Sequence, residues 1–263
     1  MVSLSLGWLR GRRPSKKMFS EQSTRHFVAD TGVYVPAVSS EQMRELDRIA
    51  VEETGPSLLQ MMENAGRSLA LLAIELMGTR WHSARVVILA GSGGNGGGGI
   101  CAGRHLANRG TAVSLCLSNP DQLSEAAAIQ RKIFQSTSGK EVQIVNIERL
   151  EADLIIDALV GYGLKSAPRG ATAQLIAWAG KRDVPILALD VPSGIDANTG
   201  GAPGAFIRPT WTMTLALPKL GLLPQNAGQL FLADIGIPVA TFRRLVPNYV
   251  PPYGNRFWVG LKY

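Results

Sequence analysis

Apolar residues in this chain recur at two spacings. Between residues 39 and 77 they return every three or four positions: Met43, Leu46, Ile49 and Ala50, then Leu58, Leu59, Met62, Ala65, Leu69, Leu72, Ala73 and Leu76. That period belongs to helices that bury one face. Ser39-Ser40-Glu41-Gln42 has the capping-box form, with Ser39 as N-cap and Gln42 reaching back from the third helical position. Helices are therefore predicted over Ser39 to Glu53 and Pro56 to Met77, with Gly55-Pro56 ending the first and starting the second.

From Arg85 onward, short β-rich runs alternate with helix-compatible ones. Strands are predicted to end at Ala90, Leu117, Asp157 and Asp190, with a short one at Val142 to Val145. Helices are predicted from Ile100 to Arg109, near Gln122 to Gln135, and around Thr172 to Lys181. This alternation predicts an α/β fold: a Rossmann-like, doubly wound, mostly parallel sheet with helices on both faces, preceded by two N-terminal helices. Two later runs, Trp211 to Leu217 and Gln229 to Ile235, lack an intervening helix and are expected to add strands at one edge.

The first parallel strand runs into seven glycines in Ala84 to Gly99, ARVVILAGSGGNGGGG. Glycine gives up backbone entropy on folding, so such density marks positive φ or a close approach of the main chain. Gly91, Gly93 and Gly96 satisfy G-x-G-x-x-G, which before a helix suits a pyrophosphate. A tight turn that binds nothing is the alternative. No acid closes the next strand, where Ser118 and Asn119 stand in place of a ribose-binding carboxylate, so an ordinary dehydrogenase is disfavoured.

Parallel strands present their C-terminal ends along one edge, where open α/β folds bind ligands. Asp157 and Asp190 both close strands there, the first followed by Gly161-Tyr162-Gly163 and the second by Pro192-Ser193-Gly194. An acid in that position also caps its own loop, so each aspartate alone is ambiguous. Together with the glycine turn they point to a site.

With 263 residues and 46% hydrophobic content, the chain can bury one large core. The net charge of +7 is concentrated at the ends. Residues 1–30 carry Arg10, Arg12, Arg13, Lys16, Lys17 and Arg25 against Glu21 and Asp30, and residues 241–263 carry Arg243, Arg244, Arg256 and Lys262 with no acid. The body is near neutral, which excludes a broad nucleic-acid footprint. Three segments are expected: a basic, disordered leader over 1–30, one domain over 31–240, and a basic tail over 241–263. The leader also has the composition of an organelle-targeting segment, and Met18 offers a second start. Cys101 and Cys116 read as buried small residues of a reducing compartment. His26, His82 and His105 show no metal-ligand spacing. Nothing approaches eighteen uninterrupted apolar residues, so no membrane span is expected.

The chain resembles the NAD(P)H-hydrate epimerase family, the YjeF N-terminal domain. The resemblance is carried in order by Met43-Arg44-Glu45-Leu46-Asp47, Met62-Glu63-Asn64-Ala65-Gly66, the glycine run, Asp157-Ala158-Leu159-Val160-Gly161, Leu189-Asp190-Val191-Pro192-Ser193-Gly194, Pro218-Lys219-Leu220-Gly221-Leu222 and Ala233-Asp234-Ile235-Gly236-Ile237-Pro238. It implies interconversion of the R and S forms of NADHX and NADPHX, nicotinamide cofactors hydrated at C6, in cofactor repair. It implies a potassium ion held by Asn95, Asp157 and Ser193. It implies substrate contacts from Gly94, Asn95, Gly96, Gly97 and Gly98, from the loop Gly161, Tyr162, Gly163, Leu164, Lys165, Ser166 and Ala167, and from Asp190.

The C6 hydroxyl is a hemiaminal, so the ring nitrogen can expel it as water and leave an iminium open to either face. A carboxyl group that protonates the leaving hydroxyl and deprotonates incoming water serves both directions. Asp190 is the candidate for that role, and a ribose or pyridine-amide anchor is its alternative. The family's glycine loop usually reads N-N-G-G-D-G, whereas Gly94 and Gly98 replace its first Asn and its Asp here. A noncatalytic nucleotide-binding or interaction module of the same fold is the second reading. The chain ends soon after the matching region, so the dehydratase fused to many relatives is expected as a separate protein. A homodimer through the two leading helices is expected, against the alternative that those helices bury themselves on their own sheet. No nucleic-acid or membrane partner is expected, and the expected location is cytoplasmic.

Overall fold

The computed structural model describes residues 25–263, so the expected leader lies outside the described residues apart from 25–30. In chain order the main elements are β1 (His26–Ala29), β2 (Tyr34–Pro36), α1 (Ser40–Ile49), α2 (Leu58–Met77), β3 (Arg85–Ala90), α3 (Gly94–Ala107), β4 (Ala112–Leu117), α4 (Glu125–Phe134) and β5 (Lys140–Glu141). They continue with β6 (Leu154–Ala158), α5 (Gly170–Gly180), β7 (Ile186–Leu189), β8 (Trp211–Leu215), α6 (Pro224–Ala227), β9 (Gln229–Ala233), α7 (Val239–Phe242) and β10 (Trp258–Lys262).

All the strands form one sheet in the order β2-β1-β10-β9-β8-β7-β6-β3-β4-β5. The seven strands from β9 to β5 are parallel to one another. β10, β1 and β2 continue the sheet antiparallel. The β-branched and leucine-rich strands are buried on both faces, as a doubly covered parallel sheet requires. One face packs Val86, Ile88, Leu115 and Ile156 under α2, α3 and α4, and the other packs Val87, Leu89 and Ile155 under Leu175, Ile176 and Trp178 of α5.

The helices start where their caps predict. Gln42 N donates to Ser39 Oγ at 3.2 Å, and Ser39 N donates back to Gln42 Oε1 at 2.8 Å. Ser57 and Gln60 repeat the box at the start of α2. Most of the apolar face of α2 is buried, including Met61, Met62, Ala65, Leu69 and Leu72, while Leu58, Leu59 and Leu71 stay exposed.

Four expectations are corrected. Two antiparallel strands precede the two helices, so the helices do not lead the fold. β8 and β9 lie inside the sheet, joined through the four-residue α6, and β2 and β5 form the edges. The strand expected at Val142 to Val145 is instead Lys140–Glu141 followed by a 3-10 turn, Ile144–Arg149, which packs Ile144 and Ile147 on the core and leaves Val145 81% exposed. Finally, β1 and β10 pair with each other within the sheet, so the boundaries expected at 30 and 240 cut through it.

Candidate functional site

The chain leaves β3 towards β4 on one side and returns to β6 on the other, which makes the β3/β6 boundary the topological switch point. Such a crevice is where open α/β sheets bind ligands. The first turn of α3, the end of β6 and the end of β7 meet there.

Asp157 is the penultimate residue of β6 and is fully buried. Its Oδ1 accepts from Ser193 Oγ at 2.6 Å and Leu159 N at 3.2 Å, and its Oδ2 accepts from Ser193 N at 2.8 Å. Val160 N donates to Ser193 Oγ at 2.8 Å, and the Val160 carbonyl lies 3.2 Å from the same hydroxyl. Among the described residues every donor to Asp157 is neutral. Burial pushes its carboxyl up to about 6, and the Ser193 and Leu159 hydrogen bonds only partly oppose this. Asn95 stands beside the same loop. Its amide is satisfied when Nδ2 donates to Leu189 O at 3.2 Å and Oδ1 accepts from Gly161 N at 3.3 Å. Asn95, Asp157 and Ser193 are thus grouped around the Val160-Gly161 peptide. An all-oxygen donor set with one uncompensated buried carboxylate fits a hard cation.

Asp190 follows β7 and is 3% exposed. Its φ is 70°, a left-handed value rare outside glycine, and Val191 N closes a three-residue turn on Leu189 O at 3.0 Å. The neighbouring strand ends the same way: Ala216 has φ 60°, and Leu217 N donates to Leu215 O at 2.7 Å. Lys219, also fully buried, donates from Nζ to Asp190 Oδ1, to Leu215 O at 2.9 Å and to Thr214 Oγ1 at 3.5 Å. Tyr162 N donates to Asp190 Oδ2 at 3.0 Å, while the Tyr162 hydroxyl donates to Asp47 Oδ2 at 2.6 Å. Burial pushes the partly buried Asp47 up to about 6 against the opposing pull of the Tyr162 hydrogen bond and of Lys219. Sequence reasoning assigned no role to Asp47 or Lys219. The signal was the pair of short segments around them, which repeat the family's pattern but carry no spacing rule that names a chemistry.

The glycine run is not a loop. Gly94 to Gly99 form the first turns of α3, and none of the glycines from 91 to 99 has positive φ. The close approach they permit is largely to the protein itself. A Cβ would lie 1.8 Å from Gly91 O at Gly96, 2.4 Å from Met62 Sδ at Gly97 and 2.4 Å from Ala158 Cβ at Gly99. Gly97 N already donates to Gly93 O at 3.0 Å. The N–H groups of Gly94, Asn95 and Gly96 are therefore the ones a first helical turn leaves for a ligand. Gly96, Gly97 and Gly98 are all buried, and a Cβ on Gly98 would meet Leu189 Cδ2 at 2.9 Å.

Of the loop after β6, Gly161 is pressed against the site: a Cβ there would lie 2.8 Å from Asp190 Oδ2 and 3.1 Å from the Asn95 side-chain amide. Leu164, Lys165 and Ser166 stand further out. They line an open cleft of about 390 Å³ together with Asp196, Thr199 and the segment Gly201-Ala202-Pro203.

A second polar cluster joins α2 and α3 away from this edge. Glu63, Cys101 and His105 place one ligand-type atom each within 4.8 Å of one another, a grouping that the histidine spacing did not predict. Arg104 Nη2 binds Glu63 Oε2 and lies 3.3 Å from Cys101 Sγ, so a guanidinium already compensates the carboxylate. Burial pushes the Cys101 thiol up to about 12, and both cysteines are free and buried. Among the described residues no helix is long and apolar enough to cross a membrane.

A profile described as YjeF-related protein N-terminus matches residues 58–221. The chain is 49% identical over 228 residues to an NAD(P)H-hydrate epimerase of Dehalogenimonas lykanthroporepellens, a match that covers 86% of this chain and 93% of that relative. It is 35% identical over 223 residues to the bifunctional NAD(P)H-hydrate repair enzyme Nnr of Escherichia coli, covering 81% of this chain but 42% of that protein. The crystal structure of the yeast protein YNL200c superposes with a TM-score of 0.73 at 22% identity, covering 85% of this chain and 99% of that one, and so shares the fold.

Proposed function

The chain belongs to the YjeF-related N-terminus family, and from that premise we propose that it is an isomerase that epimerises hydrated NADH and NADPH in nicotinamide-cofactor repair. The observation that carries the chemistry is Asp190, a nearly buried carboxylate held at the ligand edge by donors to both its oxygens. Asp190 protonates the departing C6 hydroxyl and deprotonates the water that replaces it, the ring nitrogen supplying the electron pair in between. A near-dry setting strengthens that exchange, since few waters compete for the proton.

Substrate is held at two places. The first-turn N–H groups of Gly94, Asn95 and Gly96 take phosphate oxygens at the positive end of α3. The loop from Gly161 to Ala167 covers the nucleotide, and Leu164, Lys165 and Ser166 reach it from the open cleft. Asn95, Asp157 and Ser193 would hold potassium, which when bound supplies a fixed positive charge that offsets Asp157 and favours the anionic substrate. A noncatalytic module of the same fold is the weaker reading, because the grouping of Asn95, Asp157, Asp190 and Ser193 has no purpose in a surface scaffold.

A dehydratase that consumes the S epimer is the pathway partner, and a cytoplasmic enzyme is the reading we favour. Leu58, Leu59 and Leu71, exposed on α2, support a homodimer contact there. The direct test supplies the R epimer of NADHX and couples its turnover to a dehydratase specific for the S epimer. Turnover above the spontaneous rate is expected, greater in potassium than in tetramethylammonium chloride. A rate equal to the enzyme-free control with both NADHX and NADPHX would overturn the assignment.

A further inference from the structure

We propose that Lys219 is the proton reservoir of this site, a positioning residue that acts on the substrate only through Asp190. The inference rests on the epimerase reading above and goes beyond it by naming where the proton is kept. Among the described residues, the side chain of Asp190 has two hydrogen-bond partners, Lys219 Nζ and Tyr162 N. A main-chain amide does not give up its proton in such chemistry, which leaves the ammonium as the transferable one. Both partners donate to its oxygens, so the proton that Asp190 passes on is drawn from Nζ.

The geometry fits a reservoir better than a surface ion pair. Lys219 has no exposed area, so it touches no substrate and no water competes for its proton. Its remaining donors go to Leu215 O and Thr214 Oγ1 of β8, and Leu215 O also closes the left-handed turn at Ala216. Nζ therefore spans the two adjacent left-handed turns, one carrying Asp190 and one carrying Ala216. The backbone of Lys219 is fixed in turn by a parallel bridge to Val38, with Val38 N donating to Pro218 O at 2.9 Å and Leu220 N to Val38 O at 3.0 Å. Backbone strain of this kind persists where the surroundings over-determine it and clusters at functional sites.

The step balances. As the C6–O bond breaks with its electron pair on oxygen, the ring nitrogen forms C=N⁺, and the hydroxyl takes a proton from Asp190 and leaves as water. Asp190 takes its proton from Nζ, which becomes a neutral amine. One positive charge has moved from Nζ to the ring nitrogen. When water adds to the other face of C6, the C=N electron pair returns to nitrogen, and the proton lost by that water passes to Asp190 and back to Nζ.

The test uses the full chain in the coupled assay with Lys219→Met, Asp190→Asn and the double variant, each checked by thermal melting. Lys219→Met is expected to lower kcat about 100-fold or more with KM within about threefold, the range of a lost acid–base group. The double variant is expected to lose no more than Asp190→Asn alone, because the two residues act in one step. In Lys219→Ala, ethylamine is expected to restore kcat at least about tenfold, while potassium chloride at equal ionic strength does not. Wild-type kcat in Lys219→Met, or losses that multiply in the double variant, would overturn the proposal with the epimerase reading intact. If Lys219→Met does not fold, the double variant lacks both charges and decides alone: a further loss beyond Asp190→Asn overturns it. A wild type with no turnover on either substrate removes the epimerase reading itself, and the reservoir with it.

Discussion

The ends of β6 and β7 lie side by side and each presents a buried aspartate, but the chain treats the two charges in opposite ways. At β7, Asp190 receives an ammonium and a main-chain amide. At β6, Asp157 receives three neutral donors and no cation. Taking a carboxylate out of water is expensive unless something compensates the charge. The compensated carboxylate has the partners that the proposed proton transfer needs. The uncompensated one is the carboxylate at which the proposed potassium would supply the missing charge. Residue type is the same, but Asp157 sits within its strand opposite Ala188 while Asp190 sits in the left-handed turn just past its own, and their partners differ accordingly.

Asp190→Asn is expected to have the largest effect, a loss of about 100- to 10,000-fold in turnover, the usual contribution of a general acid–base group. Steady-state rates in the coupled assay check it. A loss of less than tenfold would move the chemistry away from β7 and leave Asp190 an anchor for the ribose or the amide.

Gly161→Ala tests whether the two regions are separate at all. Its Cβ would press on Asp190 Oδ2 from one side and on the Asn95 side-chain amide from the other. Overpacking of this kind costs about 1–3 kcal/mol. Turnover and potassium affinity are therefore both expected to fall, by about tenfold each. A fall in only one of them would show that the loop bears on a single aspartate.

Asp157 gives the comparison a pH dependence. Its folded-state carboxyl, near 6, lies above its ordinary value of 3.8, so the folded protein takes up the proton first as pH falls. Without potassium, the contribution of this group to stability is therefore least favourable above pH 6 and is relieved as pH falls from 6 towards 4. The proposed potassium would bind the ionised form, so its affinity is expected to weaken about tenfold per pH unit below 6. Melting curves with potassium or tetramethylammonium chloride at pH 5 and 7.5 measure this. A potassium-induced rise in Tm at pH 7.5 that vanishes at pH 5 is expected, and equal rises would place the cation elsewhere.

Much of this architecture was legible in the sequence because it rests on periodicity. The strand ends at Ala90, Asp157 and Asp190, the capping box at Ser39, and the meeting of two aspartates with the glycine segment all follow from local pattern and from the shared direction of parallel strands. What could not be read depended on contacts distant in sequence. The glycines looked like a ligand loop, yet Gly96 is required by Gly91 and Gly99 by Ala158, packing that a single strand-turn-helix motif does not reveal. The last residues looked like a basic tail, but β10 pairs with β1 and β9. Lys219 sits between short apolar segments, and only the fold brings its ammonium to Asp190 across 29 residues of sequence.

A third carboxylate, Asp47, lies between the two cases and yields the smallest effect. Its Oδ2 accepts the Tyr162 hydroxyl, a neutral donor, and Lys219 helps only at longer range. Burial raises it to about 6, above the ordinary 3.8, so its ionisation weighs against the fold above pH 6 and not below about 4. Tyr162→Phe removes the hydrogen bond that holds the carboxyl down, so the value rises further and the ionised state becomes still less favourable. A hydrogen bond to a charged group is worth about 1.5–3 kcal/mol and one to a neutral group about 0.5–1.5 kcal/mol. The variant is therefore expected to lose more stability at pH 7.5 than at pH 5, by about 1 kcal/mol, in urea unfolding at both values. Asp157 titrates over the same interval in both proteins and cancels in the difference. Equal losses at the two pH values would mean that Asp47 stays compensated without the tyrosine, as Asp190 is by Lys219, and would leave Asp157 as the only one of the three whose charge waits for a cation.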